Sequence, residues 1–115
     1  MNELTGGKVM YCNAKYVKSK VEISLGAYLN GRLAIKLIDA QDGCPCAVAT
    51  VNIPYYPLPE DEVIIKNWSE NEGVLEFLIE NGLVEDTGKV VSTGRVVANV
   101  VKITDKLRAM VDSYK

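Results

Sequence analysis

Between positions 21 and 53 the chain alternates apolar with polar or small residues in three successive stretches. Val21, Ile23, Leu25 and Ala27 repeat at period two, and Leu33, Ile35 and Leu37 continue the odd-numbered series beyond Asn30-Gly31. That period predicts half-buried strands, because successive strand side chains point to opposite faces. The break between the stretches fixes how they pair. A two-residue turn at Asn30-Gly31 would set residue 29 against 32, pair odd with even positions and send the two apolar sets to opposite faces. A three-residue loop, Leu29-Asn30-Gly31 with Gly31 left-handed, pairs 25 with 35 and 23 with 37 and keeps both sets on one face. Ala47, Ala49, Val51 and Ile53 predict a third strand, entered through the Asp42-Gly43 turn and Pro45.

Upstream, Val9 to Val17 predicts a weaker strand: Tyr11 and Tyr16 favour extended backbone, while Lys15, Lys18 and Lys20 mark an edge. Downstream, Pro54-Tyr55-Tyr56-Pro57-Leu58-Pro59 places three prolines in six residues, which forbids a helix or central strand and predicts an extended connection.

After residue 68 the period changes. Ser69-Glu70-Asn71-Glu72 has the form of a capping box, with the Ser69 hydroxyl accepting from the Glu72 amide. Val74, Leu75, Leu78 and Ile79 supply an apolar stripe, and Glu76 and Glu80 fall one turn apart on another face. Asn81-Gly82 ends this helix, with Gly82 left-handed and Leu83 reaching back to Leu78. Gly73 near its start lowers helix propensity by about 1 kcal/mol relative to Ala, which points to a packing demand for a small residue. Lys89 to Val91 and Arg95 to Ile103 predict two further strands around a Ser92-Thr93-Gly94 turn. Thr104 then caps a last helix, with Leu107, Met110, Val111 and Tyr114 at helical spacing. The expected fold is α+β: a mostly antiparallel twisted sheet of about five to six strands, one central helix over about 69–81 and a short C-terminal helix over about 104–114. Residues 1–7 are expected to be a flexible N-terminus and 8–115 a single domain.

Composition adds mostly exclusions. The length of 115 residues suits one domain, and 48% apolar with 24% charged residues is the balance of a globular chain. At this mass about two-thirds of the chain's surface can be buried, so a core forms without covalent staples. The first residues hold no apolar signal-like run and no stretch approaches about 18 apolar residues, so a cytoplasmic protein without membrane contact is expected. Cys12, Cys44 and Cys46 are an odd set without secretory context and read as reduced thiols. Three cysteines and no histidine fall short of a four-ligand structural zinc site, so no metal is expected within one chain. The lack of histidine also removes the commonest general base and the Ser-His and Cys-His catalytic arrangements. No phosphate-cradling glycine loop and no HExxH is present. The expectation is a non-enzymatic protein without cofactor; carboxylate-pair chemistry stays formally open, with no pair identifiable.

The net charge of −2 hides a segregated layout. Residues 1–59 carry six basic and four acidic side chains, residues 60–86 nine acidic groups and only Lys66, and residues 87–115 six basic and two acidic. The acidic set is Glu60, Asp61, Glu62, Glu70, Glu72, Glu76, Glu80, Glu85 and Asp86. One reading is ordinary: carboxylates at a helix N-terminus and on a solvated helix face. The other is a negative surface that engages a basic groove, as a phosphate backbone would. A calcium loop is not indicated, since no D-x-D-x-D-G pattern occurs. Tyr55, Tyr56, Leu58 and Trp68 flank the acidic run, which is the composition of an interaction hot spot and equally of core packed over a sheet edge. Lys15, Lys18 and Lys20, with a strip from Arg95 through Lys102 to Lys106, form a nucleic-acid alternative. A pI near 5.1 and few aromatic residues weigh against it.

Leu25-Gly26-Ala27-Tyr28 with Asn30-Gly31-Arg32-Leu33-Ala34-Ile35, then Ala49-Thr50-Val51-Asn52-Ile53-Pro54, and then Glu80 through Lys89 with Ser92-Thr93-Gly94 span most of residues 21–103. In these stretches the chain resembles a family of small uncharacterised α+β proteins encoded on phages, conjugative elements and other mobile DNA of gut bacteria. The resemblance brings no catalytic residues. It implies an accessory or anti-defence role by analogy. The expected function is therefore binding and modulation of a host protein, as an anti-CRISPR-like inhibitor would do, with Tyr55, Tyr56, Glu60, Asp61, Glu62, Trp68, Glu72, Glu76 and Glu80 as the contact set. A small nucleic-acid-binding module and a small-ligand sequestering protein, with a pocket between sheet and helix, are the alternatives. A homodimer is compatible with either.

Overall fold

Strands β2 (Lys18–Ala27) and β3 (Leu33–Asp39) pair antiparallel with Leu25 opposite Ile35 and Ile23 opposite Leu37. This is the register demanded by the apolar alternation. The loop between them is three residues long: Tyr28 N–H donates to the Arg32 carbonyl, Gly31 N–H donates to the Tyr28 carbonyl, and Gly31 has φ +87°. The structure, a computed structural model, describes residues 9–112. The expected flexible segment 1–7 and Tyr114 lie outside the described residues.

Strand β1 (Val9–Asn13) pairs with β2 at one edge and β4 (Pro45–Val48) pairs with β3 at the other, giving a four-stranded sheet in the order β1-β2-β3-β4. A second sheet, order β5-β7-β6, is built from β5 (Glu62–Ile65), β6 (Val84–Ser92) and β7 (Val97–Ile103). All pairings between these strands are antiparallel. The expected sheet of five to six strands is thus corrected to seven strands in two sheets. β6 is longer than the expected 89–91 and contains a register shift between Asp86 and Val90, where Gly88 takes φ +82°.

The strand expected over 47–53 stops at Val48, for an identifiable reason. Ala49 N–H still donates to Ile35 on β3, but Val51 N–H donates to Ile64 and Lys66 N–H donates to Ala49, so the backbone changes partner from β3 to β5. Thr50, at the exchange, is buried; its hydroxyl accepts from Ile35 N–H (3.2 Å) and lies 3.0 Å from the Tyr28 hydroxyl. The apolar alternation therefore serves two cores. Ala49 joins the main cluster between the sheets, and Ile53 joins a smaller cluster on the far side of the second sheet, with Ile64, Val91, Ala98 and Val100.

The central helix is the largest correction. Helix α1 spans Val74–Glu80, and Ser69–Asn71 is a separate 3₁₀ turn. The Ser69–Glu72 capping box does not form: Ser69 has φ +59° and offers its backbone carbonyl, not its hydroxyl, to Glu72 N–H. Two outside contacts hold this segment away from a helix. Asn71 is buried and donates its side-chain amide to the Val48 carbonyl (2.7 Å), and the Glu72 carbonyl accepts from Lys15 N–H (3.0 Å). The cap of α1 comes instead from Asn67, whose Oδ1 accepts from Gly73 N–H (3.1 Å) and Leu75 N–H (2.9 Å). Gly73 is required at the joint: φ is +95°, and a Cβ there would lie 3.0 Å from the Ala14 Cα.

Phe77, rather than Ile79, completes the buried stripe with Val74, Leu75 and Leu78; Ile79 is exposed. The C-terminus closes as expected, with Gly82 N–H donating to Ile79, Leu83 N–H donating to Leu78, and Gly82 at φ +71°. Helix α2 (Asp105–Asp112) is capped by Thr104, whose hydroxyl accepts from Leu107 N–H and donates to the Gly82 carbonyl (2.6 Å). α1 packs against both β1 and β6, an outer strand from each sheet, and so covers the main core on that side.

Candidate interaction site

The carboxylates of 60–86 are distributed over the connection before β5, β5 itself, the 3₁₀ turn, α1 and β6. Four of the nine are neutralised by lysines. Asp61 pairs with Lys102 of β7 (3.7 Å), Glu62 with Lys89 of β6 (2.8 Å), Glu72 with Lys15 (3.6 Å), and Glu70 with Lys66. Three of those lysines come from the basic flanks of the chain, which fold back onto its acidic middle. The Glu62 side chain is only 12% exposed, so it offers little surface to a partner. The hydrogen bond from Lys66 holds the Glu70 carboxyl below its ordinary titration range, and the bond to Glu62 raises that of Lys89.

Glu76 and Glu80 differ from these four. They project from consecutive turns of α1, both are exposed, and neither is ion-paired among the described residues. Glu76 accepts one hydrogen bond from the Asn67 side chain (3.3 Å). With Tyr11 and Asn13 of β1, Gly73 at the N-cap of α1 and Phe77 within it, they line a notch of about 460 Å³ between the edge strand and the helix. Tyr11 is 59% exposed. The notch thus combines two carboxylates without a cation and an open aromatic ring, a set that accepts the end of a lysine or arginine side chain by charge and by ring face. Tyr11 and Asn13 were legible only as strand positions; their meeting with Glu76 and Glu80 depends on where α1 docks.

The aromatic residues divide. Tyr56 and Trp68 pack, half-buried, on the cluster behind the second sheet, with the Lys66 ammonium 5.9 Å from the centre of the Trp68 ring. Tyr55 is exposed and reaches the Ser92 carbonyl. Glu60 is exposed in the connection before β5. The structure therefore does not gather Tyr55, Tyr56, Trp68, Glu60, Asp61 and Glu62 with Glu72, Glu76 and Glu80 into one patch.

The basic residues are also dispersed. Lys18 and Lys20 lie on β2, Lys15 on the preceding turn, Lys102 on β7 and Arg95 in the β6–β7 turn. Lys106 of α2 donates to the Asn81 carbonyl and so closes the end of α1. A cavity of about 490 Å³ lies where sheet and helix meet, lined by Arg32, Leu33, Leu58, Glu62, Ile103 and Arg108 among others. Its best-placed polar groups already have partners: the Arg32 guanidinium donates to the Ile53 and Tyr56 carbonyls, and Glu62 binds Lys89.

The cysteines are all free thiols, Cys12 buried and Cys44 exposed. Burial raises the titration of Cys12 and Cys46, and the Asp42 carboxylate raises that of Cys44. Among the described residues no three cysteine or carboxylate side chains converge as a metal ligand set, and no helix is long and apolar enough to cross a membrane. Comparison with protein families, curated proteins and solved structures finds no match to this chain.

Proposed function

We propose that this chain is a non-enzymatic accessory protein of mobile DNA that acts in the bacterial cytoplasm by binding a host protein, in the manner of an anti-defence inhibitor. The observation that carries the reading is the notch between β1 and α1, where Glu76 and Glu80 stand without a cation beside Tyr11. Four other carboxylates of the acidic middle are matched by lysines, whereas these two stand together beside an open ring, and that combination is what marks them as the contact for a partner. The partner segment is basic, and a lysine or arginine enters the notch. The resemblance to proteins of mobile elements supports the biological setting by analogy alone.

The test is affinity capture from host lysate after nuclease treatment, comparing the wild-type chain with Glu76→Lys/Glu80→Lys and with Glu85→Lys/Asp86→Lys on β6. A protein captured by the wild type and by the β6 variant, but lost with the α1 variant, is the expected result. The same capture by the α1 variant at low salt overturns the reading, because charge reversal at a real electrostatic contact costs most when screening is weakest.

A further inference from the structure

The four-stranded sheet has one face on the main core and one open to solvent. Cross-strand partners share a face, so the register assigns the open one. Tyr11 lies opposite Lys20, Asn13 opposite Lys18, Ser24 opposite Lys36, and Lys36 opposite Val48. Lys18, Lys20 and Lys36 are exposed, and none takes part in the four ion pairs of the described residues. Lys18 makes only a neutral hydrogen bond, to the Asn13 side chain (3.3 Å). Among the described residues, Glu22, opposite Ile38, is the one carboxylate at an open-face position of these strands. Three cations, one anion and an exposed tyrosine ring therefore occupy a sheet surface in a chain whose total charge is negative.

From this juxtaposition we infer that the open face of the β1–β4 sheet binds single-stranded nucleic acid, its phosphates on Lys18, Lys20 and Lys36 and a base stacked on Tyr11. Lys18 and Lys20 stand two residues apart on β2, about 7 Å at the strand rise, a reach comparable to that between successive phosphates of an extended strand. Lys36, on β3, stands opposite Ser24, one open-face position beyond Glu22, and meets the strand past that carboxylate. Glu76 and Glu80 border the patch beside β1, so the strand runs from Tyr11 across β2 and β3, away from α1, and while bound it excludes the basic partner segment from the Tyr11 ring. A duplex hides its base faces, and an acidic peptide has no base to lay on Tyr11. The combination of cations with an open ring on a sheet selects an unpaired strand.

The experiment is fluorescence anisotropy with a labelled thymidine oligonucleotide of about 15 residues, a length within the span of single sheet-based binding modules. A duplex of equal length and a poly-glutamate peptide serve as competitors. Expected are salt-dependent binding of the single strand, weakening of about tenfold for Tyr11→Ala, and weakening of at least about tenfold with a shallower salt slope for Lys20→Glu/Lys36→Glu. Glu22→Gln should tighten binding, and Arg95→Glu, in the turn of the other sheet, should leave it unchanged. All these positions are exposed or half-exposed, and a thermal melt of each variant verifies its fold. Absence of single-strand binding at low salt overturns the inference. So does equal competition by the duplex or by poly-glutamate, or equal binding by Tyr11→Ala.

Discussion

The side-chain carbonyl of Asn67 accepts the backbone N–H of Leu75 at 2.9 Å across eight residues of chain, and the same oxygen accepts Gly73 N–H at 3.1 Å. One amide thus caps α1 from beyond the 3₁₀ turn. The residues that look like a capping box, Ser69 and Glu72, take no part in it. Asn67→Ala should therefore destabilise the fold by about 1 kcal/mol, the usual worth of an N-cap, and lower the melting temperature by several degrees. Ser69→Ala should cost clearly less than that. Thermal melts of the two variants check the assignment, and a larger loss from Ser69→Ala contradicts it.

Gly73 and Gly26 should respond oppositely to a methyl group. At Gly73 the backbone has φ +95° and the new Cβ meets the Ala14 Cα at 3.0 Å and the Ala14 Cβ at 3.1 Å. The obstruction includes backbone, which does not swing aside as a flexible side chain would. Gly73→Ala should cost more than about 1 kcal/mol. At Gly26, within β2, nothing lies within 4 Å of the added atom, and Gly26→Ala should be neutral or stabilise by up to about 1 kcal/mol through reduced chain entropy. Denaturant unfolding of both variants gives the comparison.

Cys44 is exposed yet should alkylate slowly. The Asp42 carboxylate beside it, and secondarily Asp39, keep its thiol protonated above the ordinary range, and the thiolate is the reacting species. Asp42→Asn retains the oxygen that accepts Cys44 N–H (2.9 Å) and removes the charge, so iodoacetamide labelling of Cys44 near pH 8 should accelerate. Cys12, buried in the main core, should label only on unfolding. Mass spectrometry of peptides over time reads both rates.

Two ion pairs whose titrating groups, Glu70 and Lys89, are exposed should give opposite pH signatures. Glu70 titrates below its ordinary range because Lys66 donates to its carboxylate; the pair's contribution is present at neutral pH and fades as pH falls through that lowered value. Lys89 titrates above its ordinary range because of Glu62; this contribution is also present at neutral pH and fades as pH rises through the raised value. Lys66→Met should return Glu70, and Glu62→Gln should return Lys89, to the usual range in an NMR titration. Because Glu70 and Lys89 are solvent-exposed, their titration should move the melting temperature little.

Much of the local structure was legible in the chain because its causes are local. The β2–β3 register followed from the parity of Val21 to Leu37 around a three-residue loop, which strand geometry alone dictates. The C-terminal end of α1 and the start of α2 followed from Gly82 and Thr104 for the same kind of reason. Where the sequence misled, a distant partner outbid a local one. Asn71 and Glu72 were drawn out of the helix by Val48 and Lys15, and the 47–53 strand was divided when Val51 found β5. β5 itself, the short run Val63-Ile64-Ile65 among acidic neighbours, gave too few residues to display a period.

The candidate surfaces show the same division. Composition alone established a histidine-free chain with an acidic middle between basic flanks, and alternation alone set which residues of β2 and β3 share a face. Tertiary structure decided which charges remain for a partner. By folding Lys15, Lys89 and Lys102 onto Glu72, Glu62 and Asp61 it removed those carboxylates from the free set, and by docking α1 beside β1 it left Glu76 and Glu80 next to Tyr11. Charge is a property of residues and periodicity a property of neighbours along the chain. Charge pairing depends on distances of a few ångströms between residues remote in sequence, and only the packed fold sets those distances.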